Sequence, residues 1–277
     1  KDKLVHKIDS VLININEHFS TYIENSEIST INNFKHSDEI ILSNKFKFVL
    51  NEAIFYCELS KGSYDITIDY LVDLWGFGKN FKKTFPNQSN IKIALDKTGY
   101  DNLTIKGNTL IKNNPLVKLD LNSIAKGYAV DEIYLLLENL GYTDFLVEIG
   151  GELRSKGNNY HENWIVGIQN PNNFSIIEKI KLNNFSMATS GTYNNYFKHK
   201  EEYYSHIINP ITGYPFKYET VSATVLANSC MKADALATLC MTMNVNDALS
   251  IINEDPSVEA YIISINKDGE IIEYKSN

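Results

Sequence analysis

Apolar residues recur every three to four positions at the start of the chain, which is the spacing of one helical face. This pattern predicts a helix over residues 4–19. The residues that recur at this spacing are Val5, Ile8, Leu12, Ile15 and Phe19. The same period returns in residues 43–65, where Gly62 is expected to end a second helix. The core-facing positions expected in that helix are Phe48, Ala53, Ile54 and Leu59.

Residues 122–141 carry the strongest helical pattern of the chain. Asn122 or Ser123 is expected to cap the N-terminus of this helix, and Gly141 is expected to close it. The apolar face consists of Ile133, Leu136, Leu137 and Leu140.

Shorter apolar runs bounded by turn residues predict the remaining elements. A Gly-punctuated aromatic loop ends residues 69–80, and two short strands in residues 102–119 flank Lys106-Gly107-Asn108. Further strands are predicted over residues 144–157, 163–171, 176–182, 185–189, 204–208, 220–228, 258–264 and 270–274. Further helices are predicted over residues 91–98, 232–240 and 246–254. No repeat or long linker is present, so we predict one α+β domain.

The composition excludes several classes of protein. With 43% hydrophobic and 22% charged residues, the 277-residue chain is typical of a folded protein with a large core. The formal net charge of −8 argues against a non-specific nucleic-acid binder, which needs a basic surface. The 3 cysteines form no CxxC motif, so neither a disulfide framework nor a zinc site is indicated. No run of about 18 apolar residues is present, so no membrane-spanning helix is predicted.

The stretch LDLNSIAKGYAVD (119–131) is expected to turn from a strand into a helix. Asp120, Ser123 and Lys126 then lie near the helix N-terminus. Free backbone N–H groups there suit phosphate oxygens, and the lysine adds a positive charge. An ordinary capped helix with a solvated lysine explains the same residues.

Two further stretches combine glycines with polar groups. The adjacent glycines of EIGGEL (148–153) permit close approach of a ligand or another backbone, and a β-bulge explains them equally well. In SHIINPITGYP (205–215), His206 precedes a turn over residues 209–213. Histidine as a residue type ordinarily titrates near neutral pH, so His206 is a candidate base, although a lone histidine is more often structural.

The stretch KADALATLC (232–240) places a carboxylate and a hydroxyl on one face of an apolar helix. Side chains four positions apart on a helix lie about 6 Å from each other, so Asp234 and Thr238 could hold one hard cation such as Mg²⁺. In the alternative, Thr238 bonds the Asp234 carbonyl and Asp234 favours the helix N-terminus. A buried, unpaired carboxylate is costly, which favours a partner for Asp234.

Eight stretches, taken together and in this order, resemble the ApbE family, the FAD:protein FMN transferases. They are SEISTIN (26–32), GSYDITIDYLVDLWGFG (62–78), LDLNSIAKGYAVD (119–131), EIGGEL (148–153), WIVGIQNP (164–171), ATSGTY (188–193), HIINPITGYP (206–215) and KADALAT (232–238). The resemblance spans almost the whole chain, and the collinear set is far more specific than any one motif. It implies a single α+β domain over residues 1–277, with mixed sheets flanked by helices.

The resemblance implies an enzyme that moves FMN from FAD to a Ser or Thr hydroxyl of a target flavoprotein and releases AMP. FAD is then a substrate and Mg²⁺ the cofactor. Asp234 and Thr238 match magnesium ligands of the family, and Ser123 would add its backbone carbonyl. The family also implies an extracytoplasmic place, periplasmic or membrane-anchored through a segment that this chain lacks, with the cytoplasm as the alternative.

The resemblance also assigns contacts with FAD. Asp120 and Lys126 match residues that touch FAD, and His206 and Ile207 match the lining of the reaction centre. The remaining FAD-binding positions that it implies are Ser29, Asn32, Gly62, Ser63 and Tyr64.

Two roles stay open among named candidates. His206 is the first candidate for removing the proton of the acceptor hydroxyl, and Asp234 is the alternative. Tyr64 and Phe77 are candidates for stacking on the isoalloxazine or the adenine ring.

The chain departs from the family pattern in three places. Asn209 and Ile211 stand where members commonly have Asp and Arg, so a local ion pair is missing. Asn122-Ser123 replaces the usual small pair, which a carbonyl ligand tolerates. Nothing matches the Met-Gly-Thr segment that touches flavin in the family, so the chain is trimmed or one wall of the pocket is built differently.

Rival functions differ in what they require of the site. An FAD pyrophosphatase would use the same metal site with water as the acceptor and would release FMN and AMP. A non-catalytic flavin carrier would have little use for the Asp234 and Thr238 pair. A conventional redox flavoenzyme is disfavoured because no Rossmann GxGxxG is present.

Overall fold

A computed structural model of the chain describes residues 2–79, 82–193, 195–217 and 219–277. Its helices are α1 (Asp2–Phe19), α2 (Glu27–Asn33), α3 (Asn44–Leu59), α4 (Asp69–Leu74), α5 (Gln88–Leu95), α6 (Ala125–Asn139), α7 (Cys230–Met241) and α8 (Val245–Asn253). Its strands are β1 (Ile40–Ile41), β2 (Leu103–Lys106), β3 (Thr109–Lys112), β4 (Phe145–Ile149), β5 (Glu152–Lys156), β6 (Trp164–Gln169), β7 (Ile176–Leu182), β8 (Ser186–Gly191), β9 (Tyr196–His199), β10 (Glu202–Ser205), β11 (Thr220–Ala227), β12 (Glu259–Ile265) and β13 (Ile271–Lys275).

The backbone contacts group these elements into two compact units. The first, here called the sheet unit, consists of Lys1–Val11, Ile124–Asn194 and Tyr218–Asn277. The second, here called the aromatic unit, consists of Leu12–Ser123 and Asn195–Lys217. Helices and antiparallel sheets occur in both units, which confirms the α+β class.

The sheet unit is built on a six-stranded sheet in the order β13-β12-β11-β8-β5-β4, in which every neighbouring pair is antiparallel. Helix α7 packs against β8, β11 and α6. Most of its residues are buried, among them Ala233, Ala235 and Ala237. Small side chains let neighbouring elements approach a helix that is apolar on nearly all sides. A polar residue on such a helix therefore needs a specific partner.

The aromatic unit has its core around Trp75, which is fully buried. The Trp75 ring stacks on Tyr204 with centroids 5.4 Å apart and meets the edge of Phe85 at the same distance. Its indole N–H donates to the carbonyl of Gly213 at 2.8 Å. That bond ties the helix α4 region to the turn after β10, because aromatic packing fixes the ring and the hydrogen bond fixes its direction.

Most predicted elements are present, but two details of helix α3 and helix α6 are wrong. The buried face of α3 includes Phe46, Val49 and Leu50, whereas Phe48 is 51% exposed. The predicted set contained gaps of five residues, which rotate positions off one helical face. Leu140 is also exposed, because α6 ends at Asn139.

The predicted N-terminal cap of α6, Asn122 or Ser123, is likewise wrong, whereas Gly141, with φ of +85°, closes the helix as predicted. The residue at the N-cap is Ile124, and no side-chain cap comes from its own segment. The Ser123 hydroxyl instead lies 2.7 Å from the Tyr64 hydroxyl, in the aromatic unit. The partner of the α6 N-terminus comes from α7, as described below.

Helices α6 and α7 approach each other most closely at Gly127. A Cβ at this position would lie 2.8 Å from Cβ of Asp234 and would overlap the backbone of Cys230. The contact therefore requires glycine, although alanine is the better helix former.

Among the described residues, no helix combines the length and the apolar character needed to cross a membrane. The cysteines Cys57, Cys230 and Cys240 are free and buried. Burial raises the pKa of each thiol, so the thiolate is suppressed.

We expect Gly127→Ala to lower the free energy of unfolding by about 1–3 kcal/mol, because overpacking outweighs the gain in helix propensity. Urea denaturation measures the change. Leu135→Ala, which alters an exposed side chain on the same helix, is the control and should have a small effect. An unchanged urea midpoint for Gly127→Ala would contradict the prediction, because it would show that a Cβ at position 127 fits between α6 and α7.

Candidate functional site

Asp234 is buried on α7, and one of its oxygens caps another helix. The side chain is 2% exposed, and Oδ2 accepts a hydrogen bond from the Gly127 N–H at 2.8 Å. Gly127 is the third residue of α6, and the first amides of a helix lack partners within the helix. Among the described residues, no hydrogen bond reaches Oδ1 of Asp234. Asp234 thus combines one fixed oxygen with one that is open to a further partner.

Asp131 performs the reciprocal task for α7. Its Oδ1 and Oδ2 accept the backbone N–H groups of Cys230 and Met231, each at 2.9 Å. Arg154 of β5 donates to Oδ1 of Asp131 at 2.6 Å. Each helix therefore begins at a carboxylate that the other supplies. Sequence analysis missed Asp131 and Arg154, although Asp131 lies within the motif 119–131.

Thr238 lies one helical turn after Asp234. Its hydroxyl is 3.0 Å from the Ser190 hydroxyl on β8, so the alternative bond to the Asp234 carbonyl is not observed. The described residues contain no group of three or more His, Cys, Asp or Glu side chains suited to a metal. A cation at Asp234 and Thr238 would therefore complete its shell with water, backbone or substrate oxygens, as Mg²⁺ commonly does.

Lys126 and Glu152 stand beside Asp234. The Lys126 ammonium donates to Oε1 of Glu152, and Glu152 is 3% exposed. The glycines before Glu152 form the two-residue turn between β4 and β5, with φ of +63° at Gly150 and +105° at Gly151. Such turns require positive φ. Neither a bulge nor a close approach of other backbone explains these glycines.

The five side chains Lys126, Asp131, Glu152, Arg154 and Asp234 are called the charged cluster below. Burial raises the pKa of Asp234 to about 7, the nearby Lys126 ammonium opposes this shift, and repulsion from Glu152 adds to it. The Asp234 carboxylate is therefore poised near neutral pH, and any nearby cation favours its charged form.

His206 lies in the aromatic unit, directly after β10. Its Nδ1 is 3.2 Å from the Asn195 carbonyl oxygen, which also accepts the His206 backbone N–H. A carbonyl only accepts hydrogen bonds, so in the neutral ring Nδ1 carries the proton and Nε2 the lone pair. The edge of Phe77 supports the ring at a centroid distance of 6.2 Å. This tautomer suits a base that acts through Nε2.

The turn after His206 survives the departures at positions 209 and 211. Oδ1 of Asn209 accepts the N–H groups of Ile211 and Thr212 at 2.8 and 3.0 Å. The backbone of Asn209 also bonds Gly213 and Tyr214. A neutral side-chain oxygen therefore organises the turn without an ion pair.

The stretch 62–64 closes α3. Gly62 has φ of +80°, and its N–H donates to the Cys57 carbonyl at 2.8 Å. The Ser63 hydroxyl donates to the Ser60 carbonyl at 3.1 Å. Tyr64 is 2% exposed, and its ring makes an edge-to-face contact with Tyr56 at a centroid distance of 6.3 Å. Its burial argues against the stacking role, and Phe77 is the better candidate.

Ser29 and Asn32 lie buried on α2. The Asn32 side chain donates to the Leu119 carbonyl at 2.8 Å and accepts the Leu119 N–H at 2.7 Å. The Ser29 hydroxyl reaches the Thr21 carbonyl at 3.5 Å. Asn32 thus fixes the backbone at Leu119, next to Asp120. Ile207 is buried and belongs to the other segment of the same unit, Asn195–Lys217.

Asp120 belongs to a group of like charges in the aromatic unit. Its Oδ1 accepts the Asn122 N–H at 2.9 Å, and burial raises its pKa. Burial also raises the pKa of Asp69 to about 6, repulsion from Asp120 adds to the shift, and Lys118, 3.8 Å away, opposes it. Carboxylates so placed can accept hydrogen bonds from hydroxyl or amino groups of a ligand.

The predicted site residues divide between the two units. In the sheet unit, Lys126, Asp234 and Thr238 lie on or beside the contact of α6 with its neighbours. The predicted residues of the aromatic unit are Ser29, Asn32, Gly62, Ser63, Tyr64, Asp120, Ser123, His206 and Ile207. Glu152 was not singled out from the sequence, although it follows the quoted glycine pair.

Comparison with known proteins identifies relatives over most of the chain. The model of the ApbE family matches residues 2–262. The FAD:protein FMN transferase of Vibrio cholerae serotype O1 is 39% identical over 249 residues, which cover 88% of this chain and 75% of that protein. The enzyme of the same name from Haemophilus influenzae is 35% identical over 99% of this chain and 82% of its own length.

Solved structures agree with the sequence comparison. The flavin transferase ApbE from Vibrio cholerae matches with a TM-score of 0.92 and 36% identity, over 100% of this chain and 89% of that one. The apo flavinyl transferase ApbE of Pseudomonas stutzeri matches with a TM-score of 0.88 and 27% identity, over 100% and 86%.

The raised pKa of Asp69 makes a prediction about stability and pH. A raised folded-state pKa means that the folded protein binds more protons than the unfolded chain between about pH 4 and 6, so stability falls as pH rises through that window. We expect Asp69→Asn to remove this loss and to stabilise the protein at pH 7 by about 1–3 kcal/mol.

Urea denaturation at pH 4 and pH 7 measures the effect, with the exposed Asp101→Asn as the control. A gain from Asp69→Asn that is equal at both pH values contradicts the assignment.

Proposed function

Because this chain belongs to the ApbE family, we propose that it transfers FMN from FAD to a hydroxyl of a protein acceptor and releases AMP. Relatives that are 30–39% identical carry the name FAD:protein FMN transferase. The single structural observation that supports this activity is the buried Asp234, with one oxygen fixed by α6 and the other open, one turn before Thr238.

The proposed reaction is a displacement at phosphorus. The acceptor oxygen bonds to the phosphorus of the FMN half of FAD, and the bond from that phosphorus to the bridging oxygen breaks. The products are a protein-linked FMN phosphoester and AMP. The acceptor proton goes to a base, and the negative charge that builds on AMP needs stabilisation.

Asp234 and Thr238 fit a magnesium ion, because Mg²⁺ prefers oxygen ligands and one Asp234 oxygen is open. When bound, Mg²⁺ supplies charge stabilisation for a pyrophosphate and its leaving group. In this proposal Thr238 adds a neutral oxygen, held by its contact with Ser190. The backbone carbonyl of Ser123 stays a proposed further ligand on family resemblance.

Lys126 and Asp120 are proposed to contact different chemical groups of FAD. The Lys126 ammonium suits a phosphate oxygen, whereas the Asp120 carboxylate suits a hydroxyl or amino donor. The other proposed FAD contacts are Ser29, Asn32, Gly62, Ser63, Tyr64, His206 and Ile207. For Asn32 and Ser63, whose side chains bond the backbone, a role in shaping the contact is the stronger proposal.

His206 is the proposed base. Its ring is oriented by the Asn195 carbonyl, so that Nε2 is the basic nitrogen. Asp234 is the alternative, but a carboxylate that binds a cation is a weak base. We also propose that the acceptor is a Ser or Thr of a flavoprotein outside the cytoplasm, and this part rests on family resemblance alone.

Asp234→Asn should abolish magnesium-dependent transfer while retaining the fold, because the amide oxygen can still accept the Gly127 N–H. We expect turnover to fall by about 100-fold or more, since a metal supplies several kcal/mol of charge stabilisation. The assay follows flavin fluorescence on a candidate acceptor subunit during a magnesium titration.

The matched control is Asp255→Asn, which changes an exposed carboxylate. That carboxylate pairs at 2.5 Å with Lys232, which lies on α7 as Asp234 does. If Asp234→Asn kept the wild-type magnesium dependence, the metal assignment would be wrong. Free FMN as the main product with every acceptor would favour the pyrophosphatase, and binding without turnover would favour the carrier.

His206→Gln should slow transfer by about 10²-fold or more, the usual scale for losing a general base, with little change in FAD affinity. The glutamine amide can still donate to the Asn195 carbonyl, so the hairpin should keep its geometry. His199→Gln, at the other end of the same hairpin, is the control. Equal transfer rates for wild type and His206→Gln would show that another residue is the general base.

A further inference from the structure

Within the charged cluster, Lys126 has two carboxylates as possible partners, Glu152 and Asp234. The Lys126 ammonium donates to Glu152, whereas Asp234 takes its hydrogen bond from the Gly127 amide. The Lys126 side chain is 48% exposed and Glu152 is 3% exposed. The lysine therefore extends from solvent to a buried partner.

Asp234 and Lys126 nevertheless attract each other. Burial lowers the pKa of Lys126, but attraction by Asp234 and by Glu152 outweighs burial and leaves the pKa raised. The same ammonium is the leading charge that stabilises the ionised form of Asp234. Asp234 is thus a second, competing partner for Lys126.

We propose that Glu152 is a positioning residue, which holds the Lys126 ammonium away from Asp234 and so keeps the open Asp234 oxygen available to a divalent cation. This inference rests on the proposed cation role of Asp234. A lysine ammonium is a point charge on a flexible stem and can turn to whichever carboxylate lies in reach. If it paired with Asp234, it would occupy the oxygen that a cation needs.

The backbone fixes Glu152 for this task. Glu152 is the first residue of β5, directly after the Gly150-Gly151 turn, and pairs in register with Ile149 of β4. Its Oε2 is buried and has no partner among the described residues. A buried carboxylate strongly favours a cationic partner, and Glu152 is the carboxylate that accepts the hydrogen bond of the Lys126 ammonium.

The α6 dipole acts in the same direction. Lys126 is the second residue of α6, where the positive end of the helix disfavours an ammonium. Without Glu152, Asp234 remains as a carboxylate that attracts this ammonium. Loss of the Glu152 carboxylate would therefore let the Lys126 ammonium occupy the open oxygen of Asp234.

The test measures binding of Mn²⁺, which takes oxygen ligands as Mg²⁺ does, from the electron paramagnetic resonance signal of the free ion. Glu152→Met removes the partner of Lys126 at similar side-chain length. We expect it to weaken Mn²⁺ binding by about 10–100-fold, the scale for losing a residue that orients a metal ligand.

The double variant Glu152→Met with Lys126→Met provides the decisive comparison. It replaces the ion pair with apolar side chains, a change that folded proteins often tolerate. We expect most of the lost Mn²⁺ affinity to return, because the competing ammonium is gone. A failure to recover would overturn the proposal, as would wild-type affinity in Glu152→Met alone.

Two controls separate competition from a general effect of charge. Glu148→Gln removes a carboxylate from the same hairpin, and the amide oxygen can still accept the Gly151 N–H; it should leave Mn²⁺ affinity nearly unchanged. The deficit of Glu152→Met should also persist at 0.5 M salt, which screens exposed charges. A deficit that vanishes with salt would overturn the positioning role.

Wild type and Asp234→Asn distinguish this inference from the proposed function. Equal Mn²⁺ affinity for these two proteins would refute the cation role of Asp234 itself. Weaker binding by Asp234→Asn together with unchanged binding by Glu152→Met would refute only the role of Glu152.

Discussion

Two helices that each begin at a carboxylate of the other form the constraint on which the sheet unit depends. Asp234 of α7 accepts the Gly127 amide of α6, and Asp131 of α6 accepts the Cys230 and Met231 amides of α7. Ordinary caps come from the residue just before a helix, so each helix could form on its own. Helix α7 also has such a local cap, because the Ser229 hydroxyl accepts the Lys232 N–H at 3.4 Å. The bonds to Asp131 and Asp234, in contrast, exist only when both helices are in place, which couples the formation of the two helices.

Asp234 therefore combines a structural role, the capping of α6, with the chemical role proposed for it. The oxygen that caps α6 fixes the side-chain orientation, and among the described residues no hydrogen bond reaches the other oxygen. The cluster contains three carboxylates and two cations, so it holds one negative charge in excess. A buried excess charge is tolerated when a partner of opposite sign completes it. This charge balance is compatible with the cation position proposed at Asp234, and that position would not need a full set of protein ligands.

The sequence revealed elements and local chemistry, but not the partners of distant groups. Helix α7 was predictable because its pattern is local and regular, whereas the strand predicted over residues 144–157 is in fact the hairpin of β4 and β5, with its turn at the glycine pair. Helix α2, with seven residues, and strand β9, rich in polar side chains, carry too weak a pattern. Asp234 was recognisable as a carboxylate on an apolar helix, yet the amide it caps is 107 positions away, and no periodicity spans that separation.

The neutral turn at Asn209 has a consequence for enzymology. Amide and backbone groups organise the turn, and the indole of Trp75 anchors it through the Gly213 carbonyl. None of these groups changes protonation in the working range of an enzyme. A change of pH should therefore not alter the shape of this turn. A change in the shape of the turn then need not be considered when an inflection in a pH–rate curve is assigned to a reacting group such as His206.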